Sequence, residues 1–185
     1  MTSQTIPNGV NVQQLVDTIS AIEANPDLAK FKFRAQTDWI DGGHSRTTVQ
    51  SFYGAGQEDT SRQAPFTIES DEPPVLLGRN AGPNAVETVL AALTSCLSVG
   101  VAYNAAAKGI TIHDLEFAVE GTLDLHGFLG LSETTRPGYR DIRVSCRVNS
   151  DATREQLEEL LKHVQRTSPV LDIIHNSVPV TVVLE

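Results

Sequence analysis

The sequence predicts an α+β domain. Apolar residues recur with period two in several separate stretches, and one long apolar helical stretch divides those stretches. Two helical segments with capping signals follow near the end. At 185 residues, 40% hydrophobic and 20% charged, the chain is long enough to bury a core and too apolar for a disordered class.

The elements follow in order. Val12, Leu15, Ile19 and Ile22 have helical spacing within residues 11–23, a short leading helix broken by Asn25-Pro26-Asp27. From Phe31 the period changes to two. Phe31, Phe33, Ala35, Thr37 and Trp39 share one side, and Lys32, Arg34, Gln36 and Asp38 share the other. Asp41-Gly42-Gly43 supplies the positive φ of a tight turn, Thr47–Tyr53 returns as a second strand, and Ala64–Ser70 adds a third. Asp71–Pro83 is a loop by its prolines and glycines, although Val75-Leu76-Leu77 within it is apolar.

Asn84–Lys108 is the longest element, a helix of about 36 Å with Gly109 as its stop. It is apolar nearly all round and needs cover on more than one side, which predicts a subunit interface. Strands follow at Leu115–Asp124 and Ile142–Val148, joined by the loop His126–Gly138 with Phe128, Leu129 and Leu131 among glycines. Thr153–Val164 is an amphipathic helix with a Thr153/Gln156 capping box. Ser168-Pro169 opens a short helix to about His175, and Val178–Leu184 closes the chain as a strand.

Composition excludes several functions. Lys plus Arg number 14 against 23 Asp plus Glu, and a formal charge of −9 repels phosphate backbones and anionic lipid, so neither nucleic acid nor a membrane is an expected partner. Two cysteines make no disulfide scaffold, and Met1–Gln14 lacks the marks of a signal peptide, so a cytoplasmic address is expected. The uncharged stretch between Glu87 and Lys108 contains Thr88, Thr94, Ser95, Ser98 and Asn104. It reads as a buried helix of a soluble protein rather than a span. The five histidines show no ligand spacing, and no Cys-x-x-Cys or complete phosphate-binding loop occurs, so neither a metal nor a cofactor is expected. Ser95 and Ser98 lack a nucleophile elbow.

Cys96, in the middle of the long helix, has two readings, a small buried hydrophobe or a reactive thiol. The second requires an activating group from elsewhere in the fold or from a second subunit, because no neighbour in sequence supplies one. Cys146 is in phase with Ile142, Val144 and Val148 and is expected to face the core as a structural residue.

The run from Gly82-Pro83-Asn84 through Glu87 and Ala91-Ala92 to Cys96 resembles the OsmC/Ohr family, as do Ser168-Pro169-Val170 and the close of the chain after Asn176. The resemblance covers about residues 31–185. It implies an OsmC-like fold, antiparallel sheets around a long central helix in an intertwined homodimer. Residues 29–185 would form the OsmC-like domain and residues 1–28 a helical extension. It also implies a thiol peroxidase cycle. One cysteine attacks an organic hydroperoxide and becomes a sulfenic acid, a second condenses with it to a disulfide, and a small dithiol such as a lipoyl group reduces that bond.

Carried over residue by residue, the resemblance gives mixed matches. Cys96 matches the peroxide-attacking thiol, and Ser168 stands where the second cysteine belongs, so the disulfide cannot close. Glu87 is the carboxylate nearest the family's glutamate, but it lies nine residues before Cys96, on the opposite side of a regular helix, and Val86 takes the position ten before. Glu87 is thus either a helix-start carboxylate or a partner of the site. Arg46 is the match to the family's arginine, with Arg34 as rival. Two functions remain open. One is a thiol-dependent organic hydroperoxide reductase that uses Cys96, Arg46 and Glu87 with an external thiol reductant. The other is a non-catalytic dimer that binds an apolar small molecule.

Overall fold

The computed structural model describes residues 6–185, so the leader reading of Met1–Gln14 falls partly on residues outside it. The chain divides into two compact units, one of residues Gln13–Val89 and one of Leu90–Glu185 with the residues before Gln13. The predicted α+β class is what forms, with antiparallel sheets and one long helix.

In the first unit the leading helix is α1, Val12–Ala24. Strands β1 (Gln36–Asp41) and β2 (His44–Val49) form a hairpin across the expected turn, where Gly42 alone takes positive φ (50°). The expected second strand is split. After β2 a break at residues 50–51 precedes β3 (Phe52–Gly54), which pairs with an unforeseen β4 (Gln57–Asp59). Strand β5 (Phe66–Ser70) joins β2, giving the order β1-β2-β5. The period-two stretch enters the ladder only at Gln36. Before it, Lys32 bridges Tyr53 while Phe31, Phe33 and Phe52 stack at 5.4–6.3 Å.

The loop after β5 is held by one carboxylate. Asp71, 3% exposed, accepts the backbone N–H groups of Glu72 (2.8 Å), Arg79 (2.9 Å) and Ala81 (3.1 Å). That fixes a turn whose tip, Val75 and Leu77, points its apolar side chains outward, 84% and 93% exposed.

The long helix α2, Ala85–Ala107, begins in the first unit and continues through the second. Glu87 and Asn84 cap it reciprocally, each side chain accepting the other's backbone N–H at 2.9 Å. Gly109, at φ 69°, ends it as predicted. Strands β6 (Ile112–Thr122) and β7 (Asp141–Ser150) form an antiparallel ribbon, and burial along β7 alternates residue by residue as the sequence requires. A one-turn helix, α3 (Leu125–Phe128), interrupts the loop between them. The capping box appears at the start of α4 (Arg154–Thr167), and Ser168 with Pro169 opens α5 (Pro169–His175).

The core of this unit is a stripe on α2, Leu93, Leu97, Val101 and Ala105, packed with Ile110, Leu160 and Val164 and flanked by Leu115, Phe117, Ile142 and Val144 of the ribbon. By length and composition α2 is apolar enough to cross a membrane, but its buried stripe is the spine of a globular core. Away from that stripe the helix is half-buried to exposed, with Val99 and Tyr103 54% and 49% exposed.

The closing strand expected at Val178–Leu184 does not form. A strand needs a neighbouring edge for its N–H and C=O groups, and a β-branched run alone does not make one. Val180, Val182 and Leu184 are 79%, 91% and 101% exposed.

The three N–H groups on Asp71, Ala81 first, hold its carboxyl below the usual carboxylate range. A depressed folded-state pKa contributes stability that is present above the unfolded value of about 4 and lost as pH falls through the folded value. Asp71→Asn is therefore expected to lower the denaturant midpoint at pH 7, with the gap to wild type narrowing below about pH 4. A gap that is the same at pH 7 and pH 3 would contradict this role.

Candidate functional site

Cys96 sits on the flank of the buried α2 stripe, half-exposed, between Ser95 at the surface and Leu97 in the core. Its position relative to the rest of the unit is set one turn further on. A Cβ on Gly100 would meet Val164 Cγ1 of α4 at 2.7 Å, so α4 approaches α2 there more closely than any side chain would allow. That approach brings the end of α4, and with it Thr167 and Ser168, against the cysteine.

Ser168 is 5% exposed, and its hydroxyl has two partners. Its oxygen accepts the backbone N–H of Leu171 at 3.2 Å as the N-cap of α5. The same oxygen lies 3.1 Å from Cys96 Sγ. The cap uses one of the two lone pairs on that oxygen, so the contact with sulfur can run either way: a Cys96 thiol can donate to Ser168, and a Cys96 thiolate can only accept from it. Around the pair is a cavity of about 400 Å³ lined by Cys96, Val99, Gly100, Val164, Ser168 and Pro169 among others. The arrangement offers one sulfur, one hydroxyl and otherwise mainly apolar walls.

The other residues singled out in the sequence have partners of their own. Arg46, in β2, pairs across the sheet with Glu69 of β5 through its Nε at 2.6 Å, and His44 Nε2 takes the other oxygen of Glu69 at 2.8 Å. Arg46 first and His44 second hold the Glu69 carboxyl below its ordinary range. The carboxylate on Arg46 is thus Glu69, while Glu87 is engaged in the α2 cap. Arg34, the rival, makes a two-pronged pair with Glu58 at 2.8 Å on each side. Cys146 is a second free thiol, opposite Phe117 on β7, and burial pushes its thiol up from the ordinary value. Among the described residues no group of three His, Cys, Asp or Glu side chains is placed to hold a metal ion.

Gly100 and Glu69 went unnoticed in the sequence. A glycine inside an apolar helix signals a close approach without naming the partner. Glu69 becomes a partner of Arg46 only through the β2–β5 register, which no local pattern reveals.

A family model described as OsmC-like protein matches residues 78–183. No curated protein matches the chain by sequence. Among solved structures, an OsmC-like protein from Mycoplasma pneumoniae superposes with a TM-score of 0.59 at 18% identity, covering 79% of this chain and 89% of that one. An organic hydroperoxide resistance protein OsmC from Legionella pneumophila gives 0.53 at 15% identity, with 77% and 88% covered. A Vibrio cholerae protein named for organic hydroperoxide resistance, with captopril bound in one of its active sites, gives 0.50 at 11% identity, with 79% and 85% covered. At these identities the likeness is one of fold.

Gly100→Ala tests the packing. An alanine gains about 1 kcal/mol of helix propensity over glycine. Overpacking against Val164 costs about 1–3 kcal/mol. The expected result is a net loss of order 1 kcal/mol by denaturant titration; a gain would mean that α4 yields freely at this point.

Proposed function

Given that the chain belongs to the OsmC-like protein family, we propose that it is a thiol-dependent reductase of organic hydroperoxides acting through Cys96. The observation that carries this reading is the buried Ser168 hydroxyl 3.1 Å from the Cys96 sulfur, in a largely apolar cavity. The names of the Legionella and Vibrio neighbours support the same chemistry.

The Cys96 thiolate attacks the peroxide's outer oxygen, the O–O bond breaks, and the alcohol leaves with a proton, so sulfur is oxidised to sulfenic acid and the peroxide is reduced. Ser168 cannot condense with that acid. An external thiol attacks the sulfenic sulfur instead and releases water, and a second equivalent reduces the mixed disulfide, returning Cys96 to the thiol and leaving the reductant as its disulfide. Throughout, the Ser168 O–H donates to charge on sulfur and to the sulfenic oxygen that follows.

Arg46, held by Glu69, is the proposed cation of the cycle, and Glu87 serves in the α2 cap. A homodimer is part of the proposal, because Val99, Tyr103 and the valines after residue 177 need cover that a second copy supplies. In this reading residues 29–185 form the OsmC-like domain and the leading helix is an extension of it. Two free thiols suit a cytoplasmic address.

A second reading has its own support. Ser168 stands where the resemblance calls for a cysteine, and a neighbour holds a small molecule in its active site, so the scaffold would bind an apolar small molecule without turnover. The two readings separate in one assay. With a dithiol reductant the wild type is expected to consume an organic hydroperoxide, Cys96→Ser to lose that activity, and Arg46→Gln to be slowed. Equal turnover by wild type and Cys96→Ser rules out the enzymatic reading.

Ser168→Ala is expected to slow alkylation of Cys96 by a neutral reagent about tenfold, since hydrogen bonds to charged groups are worth about 1.5–3 kcal/mol. Ser168→Thr, which keeps the hydroxyl, is expected to retain most of the rate. Identical rates for Ala and Thr would make Ser168 a helix cap and nothing more.

A further inference from the structure

The cavity around Cys96 is walled by the hydroxyls of Ser95, Thr167 and Ser168 and by the hydrocarbon of Val99, Val164 and Pro169. Among the residues that line it there is no second sulfur and no charged side chain. Cys146, the chain's other cysteine, lies on β7 and lines a different cavity with Leu157 and Leu161 of α4. The two cavities share no lining residue. Burial pushes the Cys146 thiol above its ordinary value, which lowers its thiolate fraction and its reactivity.

The group held against the Cys96 sulfur is instead the Ser168 hydroxyl, at 3.1 Å on a side chain 5% exposed. That gap is roughly 1 Å longer than an S–S bond of about 2.05 Å, so a thiol at this position would stand within reach of Cys96. A thiol fixed there would meet an oxidised Cys96 at an effective concentration that no dissolved thiol attains. The hydroxyl in its place forms no disulfide. Cys96 itself is half-exposed, so its oxidised sulfur stays open to whatever enters from solution.

We propose that Cys96 carries its own peroxide-dependent off-switch: with no thiol facing it, its sulfenic acid passes on to the sulfinic acid whenever hydroperoxide outruns reductant. This rests on the peroxidase reading of Cys96 given above. Two reactants compete for the same sulfenic sulfur. An external thiol returns it to the cycle. A second hydroperoxide takes it out. The sulfenic sulfur attacks the outer peroxide oxygen, the O–O bond breaks, sulfur gains that oxygen, and the alcohol leaves with the proton. Sulfur gives up the electron pair that the peroxide gains, and thiols do not reverse the step.

The test is intact-mass and peptide mass spectrometry on the full-length chain, reduced, freed of reductant and treated with about ten equivalents of cumene hydroperoxide. The wild type is expected to gain about 32 Da, two oxygen atoms, on the Cys96 peptide, with Cys146 unmodified and turnover not restored by dithiothreitol. Excess dithiothreitol present from the start is expected to cut that gain at least about fivefold. Ser168→Cys is expected to lose about 2 Da instead, as a disulfide from Cys96 to the new thiol, and to form sulfinic acid at least about fivefold less. A wild type that stops at one added oxygen, or that forms a disulfide through Cys146, would overturn the off-switch even if Ser168→Cys did not fold. A folded Ser168→Cys that reaches the sulfinic acid as readily as the wild type would overturn it too. Each of those results leaves peroxide attack by Cys96 standing, whereas a Cys96 that gains no oxygen would overturn the peroxidase reading along with the switch.

Discussion

The candidate thiol site depends on how closely two helices approach. Because Gly100 has no side chain, Val164 of α4 seats against the α2 backbone, and the chain leaving α4 reaches Cys96 within four residues. Ser168 then does two things with one oxygen, capping α5 and facing the sulfur. A cysteine on an apolar helix is otherwise a small hydrophobe; a buried hydroxyl 3.1 Å from its sulfur gives it a polar partner. The serine follows from the same geometry. An N-cap wants a side-chain oxygen, and this position supplies one where the resemblance calls for sulfur.

Charge in this protein is arranged by local pairing rather than by one large field. In the sheet of the first unit, Glu69 receives both Arg46 and His44, and Asp71 a turn's worth of N–H groups. Both are carboxylates whose negative charge the fold stabilises, so their contribution falls away in acid.

The apolar surface makes a different point. The α2 helix is apolar on nearly every side, but only one stripe of it is fully buried in the core, and the exposed valines after residue 177 form no strand. Period-two patterning and β-branched composition describe what a segment would do with a neighbour; they do not provide the neighbour. For that reason the alternation in β6 and β7 became a ribbon, whereas the equally strand-like closing segment did not.

What the sequence alone determined is local. Helix α2 and its Gly109 stop, the capping box of α4, the Ser168-Pro169 start of α5, and the inward set of β7 each follow from contacts within a few residues, and each formed as read. The family was legible too, because its signature lies on one continuous helix. Tertiary structure decided the rest. The partner of Arg46 is Glu69 through a strand register, and the partner of Cys96 is Ser168, 72 residues on, through a helix crossing at a glycine. Such pairings depend on which backbones come within about 3 Å of each other in space, and spacing along the chain carries no record of that.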